Sequence, residues 1–64
     1  MSKGKYFAAV LSDYTCLKFD KKCNRINREN EYFVTFKHVD ETNKERVLCF
    51  IPKSLIRRTV LMGG

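Results

Sequence analysis

Basic side chains with aromatic residues near them are the groups in this sequence most able to do chemistry. A first basic segment, residues 18–28, holds five cations and one acid, Asp20. Its cations are Lys18, Lys21, Lys22, Arg25 and Arg28. A second basic segment, residues 46–64, holds four cations and no acid, namely Arg46, Lys53, Arg57 and Arg58. Charges grouped in this way can hold a polyanion against one side of a protein.

The stretch between the two basic segments is acidic. Residues 29–45 carry five carboxylates and two lysines, within a chain whose net charge is +6. The polar run from Asp40 to Glu45 is typical of a solvated hairpin turn. Because like charges repel, we expect this turn to point away from any bound polyanion.

Aromatic residues accompany the cations on two predicted strands. Period-2 alternation leaves the other side chains on the outer face if one set of residues on each strand faces the core. The inward sets are Thr15, Leu17 and Phe19 on the first strand and Tyr32, Val34 and Phe36 on the second. Rings that stack on bases and cations that contact phosphates suit a single-stranded nucleic acid. The predicted nucleic-acid-binding residues are Tyr14, Lys18, Lys21, Lys22, Arg25, Arg28, Phe33, Lys37, Arg57 and Arg58. The alternative interpretation is ordinary solubilising charge, with Phe33 in a second layer of the core.

Three cysteines and one histidine could bind zinc, but their spacing is wrong for it. Cys16, Cys23, His38 and Cys49 are separated by six, fourteen and ten residues. Structural zinc sites take their ligands in close pairs, because one tight turn then presents both. We therefore predict no metal site and no cofactor, and we expect Cys16 and Cys49 to be small buried strand residues.

The sequence does not predict an enzyme. A cysteine paired with His38 would also need an orienting group and an oxyanion site, and the sequence signals neither. The glycines are Gly4, Gly63 and Gly64, so no glycine-rich phosphate loop is present.

Length and composition favour a single β-rich domain over residues 1–64. A domain of this size hides only about 60% of the surface of its unfolded chain, so a deep pocket is not expected. The longest apolar run, residues 6–11, is far below the roughly 20 residues that cross a bilayer, so no membrane partner is expected. An odd number of cysteines without paired spacing favours a reducing, cytoplasmic location.

The alternation of apolar and polar residues predicts two hairpins. Residues 4–11 and 14–19 form the first, and residues 31–39 and 46–51 form the second. Residues 20–30 between the hairpins are predicted to be a loop, or a hairpin tip that extends well out of the body of the protein.

The C-terminal segment has two interpretations. Pro52 ends a strand and can open one or two helical turns with Leu55 and Ile56 inward, followed by a last strand at residues 59–62. The competing interpretation is a continuous helix over residues 53–62, because Ile56 and Val60 would share a face. The turn and strand are favoured.

These elements describe a mostly β protein. About five short antiparallel strands, with one helical turn near the C-terminus, predict a small SH3-like or OB-like barrel. An open antiparallel sheet backed by a C-terminal helix is the alternative.

The predicted function is that of a small basic protein that binds DNA or RNA through a basic and aromatic face, with little sequence specificity. The alternative is a compact interaction or inhibitor protein, of the kind that viruses and mobile elements encode, that docks on an acidic surface of another protein. A homodimer is also expected to be feasible, because both faces of residues 46–51 are apolar and one of them could pack against a second copy.

Overall fold

The computed structural model describes residues 5–63, and these form two antiparallel sheets with almost no helix. The strands are β1 (Lys5–Leu11), β2 (Cys16–Leu17), β3 (Arg25–Asn27), β4 (Phe33–Val39), β5 (Glu45–Pro52) and β6 (Ile56–Gly63). The first sheet has the order β2-β1-β6 and the second sheet the order β3-β4-β5. The mostly β prediction is confirmed, with six strands instead of about five. Gly4, the first residue of the predicted first hairpin, lies outside the described residues.

The two sheets share one small core. Phe36 and Val34 of β4 meet Ile51 of β5 and Ala9 of β1, and all four are buried. Phe36 is 0% exposed and stacks on the partly buried Phe19, with the ring centroids 5.1 Å apart. The strand alternation predicted the inward direction of Val34 and Phe36 correctly. It was wrong for Tyr32, which is 76% exposed because it precedes β4, and for Thr15, which is exposed in the turn before β2.

Cys23 forms the corner at which the chain passes from the first sheet to the second. It is fully buried, and its carbonyl accepts a 2.8 Å hydrogen bond from the N–H of Phe7 in β1. The N–H of the next residue, Asn24, donates to the carbonyl of Lys37 in β4. The side-chain amide of Asn24 also bonds to both backbone groups of Val39. It donates to the Val39 carbonyl at 2.8 Å and accepts from the Val39 N–H at 2.7 Å. Burial raises the pKa of the Cys23 thiol.

The segment at residues 20–30 is not entirely the loop or extended hairpin tip that was predicted. It contains β3, which pairs with β4 at Arg25↔Lys37, Ile26↔Phe36 and Asn27↔Thr35. Only Ile26 of its three residues is apolar, so a short edge strand of this kind carries too little alternation to be seen in the sequence.

The strand predicted for residues 14–19 shrinks to the two residues of β2. Tyr14 has a φ of 70°, and its N–H donates to the carbonyl of Leu11, so the chain is still turning there. The Asp13 carboxylate accepts the N–H of Thr15 at 3.0 Å, and this bond holds the pKa of Asp13 below its ordinary value. Cys16 follows in an exposed position, which corrects the prediction that it is buried.

The second hairpin is confirmed, and its irregularities decide which side chains are exposed. β4 begins at Phe33 because the Asn30 side chain accepts the N–H groups of Tyr32 and Phe33 and holds the preceding residues in a turn. Phe36 faces Cys49 and Lys37 faces Val47, so Leu48 is the extra residue of a β-bulge.

The segment after Pro52 forms a short 3-10 turn, Lys53–Leu55, followed by β6. The continuous helix is wrong, because β6 pairs with β1 from Lys5↔Gly63 to Leu11↔Ile56. Leu55 is 48% exposed, so Ile56 is the residue of this region that packs against the core.

The turn between β4 and β5 is organised by the carboxylate of Asp40. One oxygen accepts the Thr42 hydroxyl at 2.7 Å, the Thr42 N–H at 2.8 Å and the Lys44 N–H at 3.0 Å. The bond from the Thr42 hydroxyl contributes most to holding the pKa of Asp40 below its ordinary value of 3.8. Asn43 completes the turn with a left-handed φ of 67°.

We expect this turn to make folding sensitive to acid. The Asp40 pKa is lower in the folded chain than in the unfolded chain, so the carboxylate stabilises the fold above about pH 4, and the contribution is lost as pH falls through the folded-state pKa. Asp40→Asn should lower the melting temperature at neutral pH, and its difference from the parent should shrink on acidification to about pH 2. Glu41→Gln, in the same turn, is the matched control and should match the parent throughout. If the difference in melting temperature between the parent and Asp40→Asn did not change with pH, the stabilising role of the Asp40 carboxylate would be contradicted.

Candidate nucleic-acid interface

A β-bulge at the start of β6 controls the direction of two arginines. Val10 of β1 faces Arg58 and Leu11 faces Ile56, so Arg57 is the extra residue. A bulge bends its strand and redirects side chains that would otherwise alternate. Arg57 and Arg58 are consequently both exposed.

Four cations line one cleft at the place where the ends of the two sheets meet. This basic cleft has a volume of about 350 Å³, and Val34, Ile56 and Thr59 line it together with the cations. The cations are Arg28, Lys53, Arg57 and Arg58. No Asp or Glu is among the lining residues, and within residues 5–63 no carboxylate lies within ion-pair distance of any of the four. The site therefore concentrates positive charge, and no carboxylate of the described residues forms an ion pair with it.

Hydrogen bonds between distant parts of the chain hold the basic cleft together. Arg28 donates from Nη2 to the Thr59 hydroxyl at 2.9 Å, and Lys53 donates from Nζ to the Arg28 carbonyl at 3.3 Å. The N–H of Lys53 also donates to the carbonyl of Tyr32 at 2.8 Å. A guanidinium carries five N–H donors. The bond to Thr59 leaves most of those of Arg28 available to a ligand.

Tyr14 lies at the rim of the basic cleft, in contact with one of its cations. The guanidinium carbon of Arg57 lies 4.5 Å from the centroid of the Tyr14 ring, a cation–π arrangement. The N–H of Ser12 donates to the carbonyl of Leu55 at 2.8 Å, which holds the β1–β2 turn against the 3-10 turn. The structure therefore brings together Tyr14, Arg28, Arg57 and Arg58 of the predicted site.

Three other predicted residues lie on the outer face of the second sheet. Arg25 and Lys37 are cross-strand neighbours, and the Phe33 ring packs edge-to-face on Phe50 with centroids 5.3 Å apart. The ammonium of Lys37 forms a 2.9 Å ion pair with Glu45. The hydrogen bond from Lys37, followed by its charge, lowers the pKa of Glu45. Lys37 is thus already neutralised by the protein itself.

The remaining predicted lysines lie in the loop that precedes the corner at Cys23. Lys18 lies beside Leu48, and Lys21 beside the Asp40 turn. The Lys22 ammonium lies 5.9 Å from the Tyr6 ring centroid, and the Lys22 carbonyl lies 2.7 Å from Nδ1 of His38. After the corner, Arg25 and Arg28 line a different cleft together with Lys37 and the carboxylates Glu29 and Glu45. The first basic segment does not form one patch, and only Arg28 reaches the basic cleft.

Sequence reasoning missed two residues of the basic cleft, Lys53 and Thr59. Lys53 belongs to the second basic segment and directly follows Pro52, so its exposure could have been predicted. Its contact with the β3–β4 loop could not, because the sequence does not give the packing of that loop. Thr59 is a single β-branched residue in a predicted strand, and nothing in the pattern distinguishes it.

No known protein family, curated protein or solved structure matches this chain. Among residues 5–63, His, Cys, Asp and Glu side chains do not gather in any group of three or more that could hold a metal ion. The same residues contain no helix of the length and apolar character needed to span a bilayer.

Proposed function

We propose that this protein binds nucleic acid and that the basic cleft holds the phosphates of the backbone. The observation that carries the proposal is the meeting of four cations in one cleft whose lining contains no carboxylate. Cations that line one cleft repel one another, and a bound anion relieves that repulsion. The guanidinium groups of Arg57 and Arg58 can also donate two parallel hydrogen bonds to a phosphate.

The position of the acidic turn supports this proposal. Val34 lines the basic cleft at one end of β4, and Asp40 follows the other end. At about 3.3 Å per residue, the strand separates the two by roughly 20 Å. That distance exceeds the screening length of about 10 Å at 0.1 M salt, so the acidic turn hardly opposes an anion in the cleft.

We propose little sequence specificity and no preference between DNA and RNA at the phosphate contacts. Phosphate contacts fix the position of a protein on a nucleic acid and carry no direct sequence information. They are common to both polymers.

We also propose that the fold is SH3-like. The chain crosses between two three-stranded sheets at Cys23, and the last strand returns to pair with the first after a 3-10 turn. This element order supports the SH3-like description, in which the basic cleft lies beside the β1–β2 turn, the β3–β4 loop and the 3-10 turn.

A protein partner is the second candidate, and the exposed apolar side chains of β5 favour it. Val47 is 46% exposed and Phe50 is 58% exposed, because the bulge at Leu48 leaves both on the outer face of the second sheet. A second copy of this chain would meet that apolar face and not the basic cleft, whereas a protein with an acidic surface would be attracted to the cations of the cleft.

A titration followed by NMR distinguishes the two candidates. With a generic oligonucleotide, we expect the largest shifts in the amide resonances of Arg28, Lys53, Arg57 and Thr59, with little change at Thr42. Polyglutamate of equal charge is the control ligand and should cause smaller shifts at the same residues. Shifts confined to Val47 and Phe50, or no shifts with either DNA or RNA, would overturn the proposal.

A further inference from the structure

Tyr14 is an unusual residue for the place it occupies. Its φ of 70° lies in the left-handed region, and its side chain is 68% exposed. A bulky residue rarely adopts this conformation, and such positions concentrate at functional sites when the surrounding structure imposes them. A large aromatic ring in water also contributes little to the stability of the fold.

The backbone beneath the Tyr14 ring is fixed by four hydrogen bonds. The N–H of Tyr14 donates to the Leu11 carbonyl at 2.9 Å, and the N–H of Leu11 donates to the Thr15 carbonyl at 2.8 Å. Asp13 accepts the N–H of Thr15, and the N–H of Ser12 donates to the 3-10 turn. The ring therefore projects from a rigid turn, which reduces the entropy lost when a ligand stacks on it.

Arg57 connects the Tyr14 ring to the basic cleft. Its guanidinium lies over one face of the ring, 4.5 Å from the centroid, and the same residue lines the cleft. In residues 5–63 no second cation or aromatic ring stacks on Tyr14. A guanidinium that stacks through its face keeps its N–H donors in the plane, where a phosphate can accept them.

We propose that the Tyr14 ring stacks on a nucleobase whose neighbouring phosphate is bound in the basic cleft, so that the ligand is single-stranded DNA or RNA. This inference rests on the proposed function and specifies its substrate. The bases of a duplex are already paired and stacked, whereas those of a single strand offer free faces to an aromatic side chain.

Three ligands of equal length test this inference: a single strand, the same strand with abasic sites, and the corresponding duplex. The abasic strand keeps every phosphate and loses the bases. One stacked base is worth about 5- to 150-fold in affinity. We expect the intact strand to bind at least about fivefold more tightly than the abasic strand.

Tyr14→Leu should lower the affinity for the intact strand to that for the abasic strand, and it should leave the abasic strand unaffected. Tyr14→Phe should restore the parent affinity. Phe50→Leu is the matched control, because Phe50 is 58% exposed and lies on the outer face of the second sheet, outside the basic cleft, and it should bind as the parent does. Melting temperatures confirm that each variant is folded.

Equal affinity for the intact and abasic strands would overturn the stacking inference. Tighter binding of the duplex than of the single strand would also overturn it. The same holds if a folded Tyr14→Leu variant binds the intact strand with the affinity of the parent. If the parent protein bound none of the three ligands, the proposed function itself would be refuted, so the two failures are distinguishable.

Discussion

Phe36→Ala should leave this chain largely unfolded at room temperature. Phe36 is the largest fully buried side chain in residues 5–63, and it contacts the residues that join the two sheets. Truncating a buried Phe costs about 3–5 kcal/mol, partly because the surrounding structure does not close the cavity. The core of a domain this small supplies only about 3–5 kcal/mol of stability, so little would remain. Urea denaturation, monitored by circular dichroism, measures this loss in the free energy of unfolding.

Phe50→Ala is the matched control for that prediction. Phe50 lies in the same sheet but is 58% exposed, and its main aromatic contact is the edge of Phe33. The loss of one such pair costs about 0.5–1.5 kcal/mol. If both variants lost the same free energy of unfolding, the core would not be centred on Phe36.

Replacing Lys53, Arg57 and Arg58 together with Ala should abolish most nucleic-acid binding. Arg28 is retained because it links the β3–β4 loop to β6 through Thr59. On single strands each phosphate contact contributes about 0.7 to the slope of log affinity against log salt. Three lost contacts lower the slope by about 2, so between 1 M and 0.1 M salt the affinity of the variant rises roughly 100-fold less than that of the parent. Fluorescence anisotropy with a labelled oligonucleotide measures this change.

The control for this cleft variant removes the same charge elsewhere. Lys18, Lys21 and Lys44 lie outside the basic cleft, and their combined replacement with Ala also removes three cations. This control variant should bind nearly as the parent does, because distant exposed charges are screened by salt. Equal losses in the two variants would show that net charge, and not the basic cleft, determines binding. Neither variant should lose much stability, since exposed charges contribute little to folding.

The regular strands could be predicted from the sequence because alternation reports which face of a strand is buried. This is why β4 and β5 were found and why Val34 and Phe36 were placed correctly. The alternation does not report a strand as short as β3, nor the burial of Cys23 among polar neighbours. The left-handed φ of Tyr14 likewise ends the pattern where the sequence alone suggests a strand.

The charges of the candidate site could be predicted, but not how they meet. The second basic segment pointed to Arg57 and Arg58, and their joint exposure depends on a bulge that a period-2 pattern cannot show. Lys37 was expected to contact phosphates. In the structure it forms an ion pair with Glu45, because the register of the hairpin brings those two side chains together. Lys18 and Lys21 precede the corner at Cys23, and they line other parts of the surface.

The salt dependence of binding tests most directly whether the basic cleft holds phosphates. Affinities of the parent, the cleft variant and the control variant for one single-stranded oligonucleotide are measured over a series of salt concentrations. The slope of log affinity against log salt should be shallower by about 2 in the cleft variant than in the parent, at about 0.7 for each lost contact, and unchanged in the control variant. A cleft variant that binds the oligonucleotide with the slope of the parent would contradict the assignment of the cleft.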